Sequence, residues 1–408
     1  MTQPKTKMTL PSEADISGRS FGEEELAYLK KVIASGTLNC TKGTVVREFE
    51  TKFAASLGMP FCRTTTSGTA AVHSAVAAVD PEPGDEIITS PITDMGAITP
   101  ILYQTAIPVF ADVDPLTYNV TAETIERKIT RRTRAVIITH LFGNACDMDP
   151  IIDLCRRKGI RLIEDCAQAF GAIYKGKPVG TLGDIGCFSL QQTKHMTAGE
   201  GGMVVARDEA LSRRMRLFID KAWGYGDPKP DHYFLAMNYR MTELTGAVAL
   251  AQFEKLPAMV KARVAMAESL TRQIEGVKGV RPPQKTPGCS PVYWRYALRV
   301  DADAFKGRAD ALGAKLKEAG IFCAPRYVQK LAFECEVLRD QRTFGKSRFP
   351  YVGEQRKGEP EIVYRKEDTP GAIEALAGVV VLPWNEKYTE EHVAFIAGAI
   401  RQAAKELS

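Results

Sequence analysis

The sequence predicts an α/β protein: a mainly parallel, seven-stranded sheet in a large first part, then a smaller α+β part. Three observations predict it. Seven short apolar runs recur between helical segments, at residues 61–65, 86–90, 107–111, 134–139, 161–165, 186–190 and 202–206. Runs that are apolar throughout suit strands covered on both faces, the habit of parallel sheets. After about Leu256 the rhythm changes to a long helical segment, a Pro282-Pro283 break and a strand-like stretch at 293–300. Finally, a chain of 408 residues exceeds what one core usually holds, so two domains are the natural expectation.

Taken in order, residues 1–20 read as an extended arm. Residues 21–34 form an amphipathic helix with acidic residues in its first turn, where the helix dipole favours them. A second helix at 45–58 leads into the first strand, and the alanine-rich segment 70–79 is the helix that follows it. Helices are expected at 243–253 and 255–274, and again at 304–319. The division is an arm (1–20), a large domain (21–255) and a small C-terminal domain (256–408). Residues 340–369, charged and interrupted by proline and glycine, read as a long loop or lid. No internal repeat is present.

Composition narrows the function. The net charge of +5 comes from 54 basic and 49 acidic residues spread along the chain, so no basic block points to nucleic acid or an anionic membrane. No apolar run approaches the ~18 residues that span a bilayer. The polar N-terminus lacks a signal-peptide segment, which predicts a cytoplasmic protein. Nine scattered cysteines read as reduced thiols, and neither a metal site nor a disulfide framework is expected.

The chemistry gathers at strand ends, where such sheets place their ligands. Phe188-Ser189-Leu190-Gln191-Gln192-Thr193-Lys194-His195 leaves an apolar run and sets one lysine before the glycine run Gly199-Glu200-Gly201-Gly202. Flanking Phe188, Leu190 and Met196 argue against a solvated lysine. In such surroundings an amine has a depressed pKa and can form imines and carry protons. Leu162-Ile163-Glu164-Asp165 ends another run in a carboxylate, which alone reads equally well as an ordinary strand-end acid. Thr66-Ser67-Gly68-Thr69 precedes a helix; alone it is more often a plain cap, yet Ser67, Gly68 and Thr69 also make a phosphate cradle. An amine for an aldehyde, a carboxylate for a pyridine nitrogen and a phosphate cradle together are what pyridoxal 5'-phosphate requires.

Other residues take supporting places. Gln168, in the turn after Asp165, is expected to touch the cofactor ring, and Ser189 its phosphate. His195 reads as structural or supporting rather than catalytic. His140 reads as a satisfied core or rim histidine, with substrate contact as its second reading. Asn238-Tyr239-Arg240 opens a helix; its side chains are either solvent-facing or reach an anion site in a neighbouring subunit. Residues 326–351, with Arg326, Tyr327, Arg342 and Lys346, are the expected specificity region.

These motifs together resemble the DegT/DnrJ/EryC1/StrS family of pyridoxal-phosphate-dependent sugar aminotransferases, of fold type I, over most of the chain from about Phe21. The resemblance implies that Lys194 is the Schiff-base lysine, Asp165 the pyridine partner and Gln168 a ring contact. It gives Gly68, Thr69 and Ser189 to the phosphate, and Asn238 to the phosphate site of a second subunit in a homodimer. It also implies a ping-pong transamination in which glutamate or glutamine loads the nitrogen and a keto-sugar or keto-cyclitol accepts it. The pair Gln191-Gln192 is similar to the branch acting on scyllo-inosose with glutamine as donor, and Gln191, His195, Tyr239, Arg240, Arg326 and Tyr327 are the substrate candidates, with His140. One departure stands out: Pro91-Ile92-Thr93-Asp94-Met95 lacks the aromatic the family places over the ring, leaving Asp94 beside it and Met95 to pack there instead. The family's dehydratase branch replaces the lysine with histidine, whereas Lys194 is retained here beside His195. Elimination on a sugar, or a non-catalytic regulatory role, are the alternatives.

Overall fold

The computed structural model describes residues 8–408. Strands β1 (Phe61–Thr65), β2 (Glu86–Thr89), β3 (Ile107–Phe110), β4 (Thr133–Thr139) and β5 (Arg161–Asp165) are followed by a short hairpin, β6 (Ile173–Tyr174) and β7 (Lys177–Pro178). Next come β8 (Ile185–Ser189) and β9 (Gly202–Ala206). The central sheet has seven strands in the order β1-β9-β8-β5-β4-β2-β3, and β9 is the strand that runs antiparallel to both its neighbours. The other pairs are parallel.

Alternation along β4 shows how the sheet is covered. Ala135 and Ile137 join a core with Ala71 and Ala75 of α3 (Gly68–Val79) and Met215 of α7 (Glu209–Ile219). Val136 and Ile138 turn the other way, to Phe53 of α2 (Val45–Ser56) and Leu250 of α8 (Glu243–Gln273). The remaining helices before α8 are α1 (Glu23–Ser35) and the edge helices α4 (Thr99–Tyr103), α5 (Ala122–Glu126) and α6 (Met148–Lys158).

A second, antiparallel sheet follows, in the order β10 (Val280–Arg281), β12 (Arg295–Val300), β14 (Val379–Pro383), β13 (Ala324–Pro325), while β11 (Cys289–Ser290) pairs back onto β6. Tyr296, Leu298, Val380 and Leu382 pack with α9 (Arg308–Glu318) and α12 (Glu390–Leu407) in a core of their own. The short helices α10 (Glu336–Arg339) and α11 (Pro370–Gly378) complete this part. The strand expected to begin at Tyr293 begins at Arg295, because Tyr293 sits at φ 48°, outside extended backbone.

Three sequence expectations change. The two helices expected at 243–253 and 255–274 are one, α8, running through Pro257. Proline ordinarily kinks or ends a helix, but α8 is held at both ends, Leu250 in the first core and Leu270 in the second; the boundary drawn at residue 255 falls inside it. Residues 340–369 are tied down rather than a free lid: buried Arg356 pairs with Glu86 at 2.9 Å, and the Tyr364 hydroxyl donates to the Pro108 carbonyl at 2.7 Å. This covers the outer strand β3, whose edge would otherwise be open. Of the expected arm, residues 1–7 lie outside the described residues, and 8–20 form a strap with Glu13 and Arg19 buried and the Pro11 carbonyl held by Asn385. Among the described residues, no helix is long and apolar enough to cross a membrane.

Candidate active site

Three chain segments meet where β1, β8 and β9 lie side by side: in the register, Thr65 and Ser189 both face Gly202. Ser67 caps α3 by accepting from the Ala70 N–H at 3.0 Å, which turns the first amides of the helix toward the open edge. Small residues are obligatory here. A Cβ on Gly68 would lie 2.6 Å from the Ser189 Cβ, and one on Gly202 would lie 2.4 Å from the Ser67 carbonyl oxygen. The Thr66 N–H donates to the Tyr239 carbonyl at 2.9 Å, so the 238–240 segment braces this turn through its backbone.

Beside the turn, β5 delivers Asp165. Its carboxylate accepts from the Ala167 N–H at 3.0 Å and, at a long 3.5 Å, from the Thr139 hydroxyl, which also contacts Thr93 at 3.1 Å. Burial pushes the Asp165 carboxyl above the usual carboxylate range, with the Ala167 amide and the Lys194 charge pulling against it.

Lys194 lies in the loop after β8, its N–H bonded to the Gln191 carbonyl at 2.9 Å. Its amine rests 4.3 Å from the centroid of the Trp294 ring. Burial holds the amine below the ordinary lysine value; Asp165 opposes this, Arg295 adds to it, and Asp94 and Glu13 oppose it. The amine and the Asp165 carboxylate open on one cavity of about 380 Å³.

Of the residues singled out in the sequence, Ser67, Gly68, Thr69, Asp94, Asp165, Ser189, Gln191 and Lys194 all line that cavity. Asp94 also caps its own turn, accepting from the Gly96 N–H at 2.7 Å. Others are placed elsewhere. Met95 is half-buried against the main core rather than in the cavity lining. Gln168 is buried behind the cavity, accepting from the Phe142 N–H at 2.8 Å and bonding the Tyr327 hydroxyl. Tyr327 in turn packs edge-on against Phe142, with ring centroids 4.9 Å apart.

Both histidines take the structural places of their first readings, and their second reading, substrate contact, is the one corrected. His140 is fully buried, its Nε2 on Glu164 at 3.0 Å and its Nδ1 accepting from the Cys146 N–H at 3.1 Å, so neither nitrogen is free. His195 is fully buried with Nε2 on the Val292 carbonyl at 3.0 Å, and burial pushes it well below the usual histidine range. Tyr239 bonds His73 at 2.9 Å, and Arg240 pairs with Asp220. Arg326 lines a different cavity, with Glu334 and Lys366. Asn238 is exposed and accepts from the Arg240 N–H at 3.3 Å, away from the Lys194 cavity of its own chain.

Sequence reading missed Trp294 and Glu200 of the lining, and Arg19, Glu13 and Arg295 behind the lysine. A signal existed for Trp294: a tryptophan entering a strand is buried only where its N–H finds a partner, and it donates to the Thr193 carbonyl at 2.7 Å.

Comparison with known proteins matches residues 19–354 to the DegT/DnrJ/EryC1/StrS aminotransferase family. GDP-perosamine synthase of Vibrio cholerae is 34% identical over 306 residues, covering 75% of this chain and 82% of that protein. A putative L-glutamine:3-amino-2,3-dideoxy-scyllo-inosose aminotransferase of Micromonospora echinospora is 37% identical over 292 residues, covering 70% of this chain and 69% of that one. Among solved structures, an aminotransferase from Psychrobacter cryohalolentis superposes with a TM-score of 0.83 at 27% identity, covering 96% of this chain and 98% of that one.

Proposed function

The chain belongs to the DegT/DnrJ/EryC1/StrS aminotransferase family and is an aminotransferase, and from that premise we propose that it uses pyridoxal 5'-phosphate to move an amino group from glutamine or glutamate to a keto-sugar or keto-cyclitol. The observation that carries the reading is the Lys194 amine and the Asp165 carboxylate opening on one cavity beside the Ser67–Thr69 turn.

The residues present fit the cofactor. Gly68 leaves room where a Cβ would strike Ser189, and the amides of Gly68 and Thr69 with the Ser67, Thr69 and Ser189 hydroxyls offer donors to a phosphate. Asp165, buried with a raised pKa, is stabilised as an anion by a cationic ring nitrogen. When bound, pyridoxal phosphate supplies an aldehyde that carries nitrogen and a ring that accepts electrons from the amino carbon. Lys194, its amine kept neutral more readily by burial, takes the proton from the donor's α-carbon and returns it during amination of the acceptor. Trp294 holds that amine over its ring face. In this reading the enzyme is a homodimer, and Asn238 serves the partner's phosphate site.

The acceptor we favour is a keto-cyclitol of the scyllo-inosose type. The Micromonospora relative and the Gln191-Gln192 pair support it. So does the lining: Asp94, Asp165 and Glu200 are acidic and Lys194 is its one base, which suits a polyol better than a nucleoside diphosphate. Purified protein mixed with pyridoxal phosphate is expected to show a visible band that Lys194→Ala lacks. Glutamine or glutamate should bleach it, and a keto-cyclitol should restore it with release of an amino-cyclitol. A Lys194→Ala protein that kept both the band and aminotransfer would sink the mechanism; sugar dehydration without nitrogen transfer would replace it with elimination.

A further inference from the structure

We propose that the N-terminal strap is part of the lysine site: Arg19 and Glu13 of the strap, with Arg295 and Trp294, close a ring around Lys194 that positions its loop and biases the charge on its amine. The inference rests on the reading of Lys194 as the reactive amine.

The loop that carries Lys194 is neither helix nor strand, so its carbonyls need partners from elsewhere. Three consecutive carbonyls find them in distant side chains. Arg19 donates to the Gln192 carbonyl and, at 2.9 Å, to the Lys194 carbonyl; Trp294 donates to the Thr193 carbonyl between them at 2.7 Å. Arg19 is only 2% exposed, a rare place for an arginine, and its planar fork spans two carbonyls as a lysine could not. The strap is tied back to the same loop, because the Gln192 side chain donates to the Glu13 carbonyl at 3.0 Å.

The ring closes through charge. The Glu13 carboxylate accepts from Arg295 at 2.5 Å, and the Arg295 guanidinium lies 4.2 Å from the Trp294 ring that also carries the Lys194 amine. Behind it, fully buried Arg263 pairs with Glu386 at 3.0 Å and reaches Glu13 at 3.6 Å. The cluster therefore places Arg19, Arg263 and Arg295 against Glu13 and Glu386, an excess of positive charge beside a fourth basic group. The charged groups around that amine include Asp165 from β5, Asp94 from the turn after β2, Arg295 from β12 and Glu13 from the strap, and Glu200 lines the same cavity. Asp165 and Asp94 belong to the cavity; Glu13 comes from the strap and Arg295, its bonded partner, from β12, and the two act with opposite sign.

That opposition gives the test. The full-length chain without added cofactor is pulsed with formaldehyde and cyanoborohydride across a pH series, and methylation of Lys194 is read by mass spectrometry. Glu13→Gln removes an anion facing the amine and unpairs Arg295, so the pH of half-maximal labelling should fall. Arg295→Gln removes a cation, so it should rise; roughly half a pH unit each way is expected. A purely structural role would not split the two in opposite directions, and a shared direction or no shift in folded variants overturns the charge assignment. For positioning, hydrogen exchange over residues 190–197 should speed up about tenfold in Arg19→Gln and less in Arg19→Lys; unchanged exchange in both overturns it. Should Arg19→Gln fail to fold, Arg19→Lys alone decides by the same measure. Labelling reads Lys194 itself with no cofactor present, so failure here leaves the proposed transamination standing, and failure of that reading leaves these measurements intact.

Discussion

Glu164 and Asp165 stand side by side at the end of β5, and the alternation of a strand sends them to opposite faces. Glu164 is wholly engaged: its oxygens accept from the Gly180, Leu182 and Gly183 N–H groups at 2.8, 2.7 and 2.6 Å and from His140 at 3.0 Å. Asp165 has one good donor, the Ala167 N–H, and faces the cavity with acceptor capacity left over. Two adjacent buried acids thus differ in role by how many donors the chain aims at each. His140 and Cys166 lie beside Glu164 in the same buried, hydrogen-bonded cluster.

The comparison predicts opposite failures on the two faces. The largest effect belongs to the cavity side: Lys194→Ala should lower aminotransfer roughly 10³-fold while leaving the denaturant midpoint nearly unchanged, as read by steady-state kinetics beside an unfolding curve. Asp165→Asn should cost on the order of 100-fold in rate, again with the fold intact. On the other face, Glu164→Gln should cost about 3 kcal/mol of stability, because it cannot satisfy three amides and a histidine as the carboxylate does. If Glu164→Gln instead lost activity at full stability, the division between the faces would break.

A subtler outcome follows from pH. Burial raises the Asp165 pKa in the folded chain, so the folded state holds its proton more tightly than the unfolded one. Folding stability should therefore fall as pH rises from the ordinary aspartate value, about 4, through the raised one, and level off above it. In cofactor-free protein, Asp165→Asn should flatten that part of the stability–pH curve; an unaltered slope would place the titration elsewhere. The smallest effect is expected at Arg326, which faces another cavity: Arg326→Ala should change kcat/KM less than about twofold, within what surface substitutions do.

Much of this arrangement was readable in the chain. The central strands lie within a residue of where the apolar runs put them, because strands covered on both faces are bounded sharply by the polar and glycine residues that follow. The Ser67–Thr69 turn, Asp165 and Lys194 were visible for a similar reason, since each ends or follows a strand and needs only local context. What was hidden is non-local. Arg19 meets Lys194 across 175 positions and Trp294 meets Thr193 across 101, and no periodicity records such pairings. His140 left a second reading open because a strand-end histidine looks the same in sequence whether its partner is a substrate or the glutamate on the next strand; it takes the first, core reading. The helix break expected at residue 254 is absent because α8 runs on through it, packed into a core at each end.

That helix has a mechanical consequence. At 31 residues it is about 46 Å long, a single spar bolted into both cores. One sheet cannot swing against the other on slack joints; any such movement loads the spar in flexure. Its weakest section is the turn before Pro257, where the missing N–H leaves one rung out of the ladder. Bending would concentrate there, a fulcrum already cut into the beam.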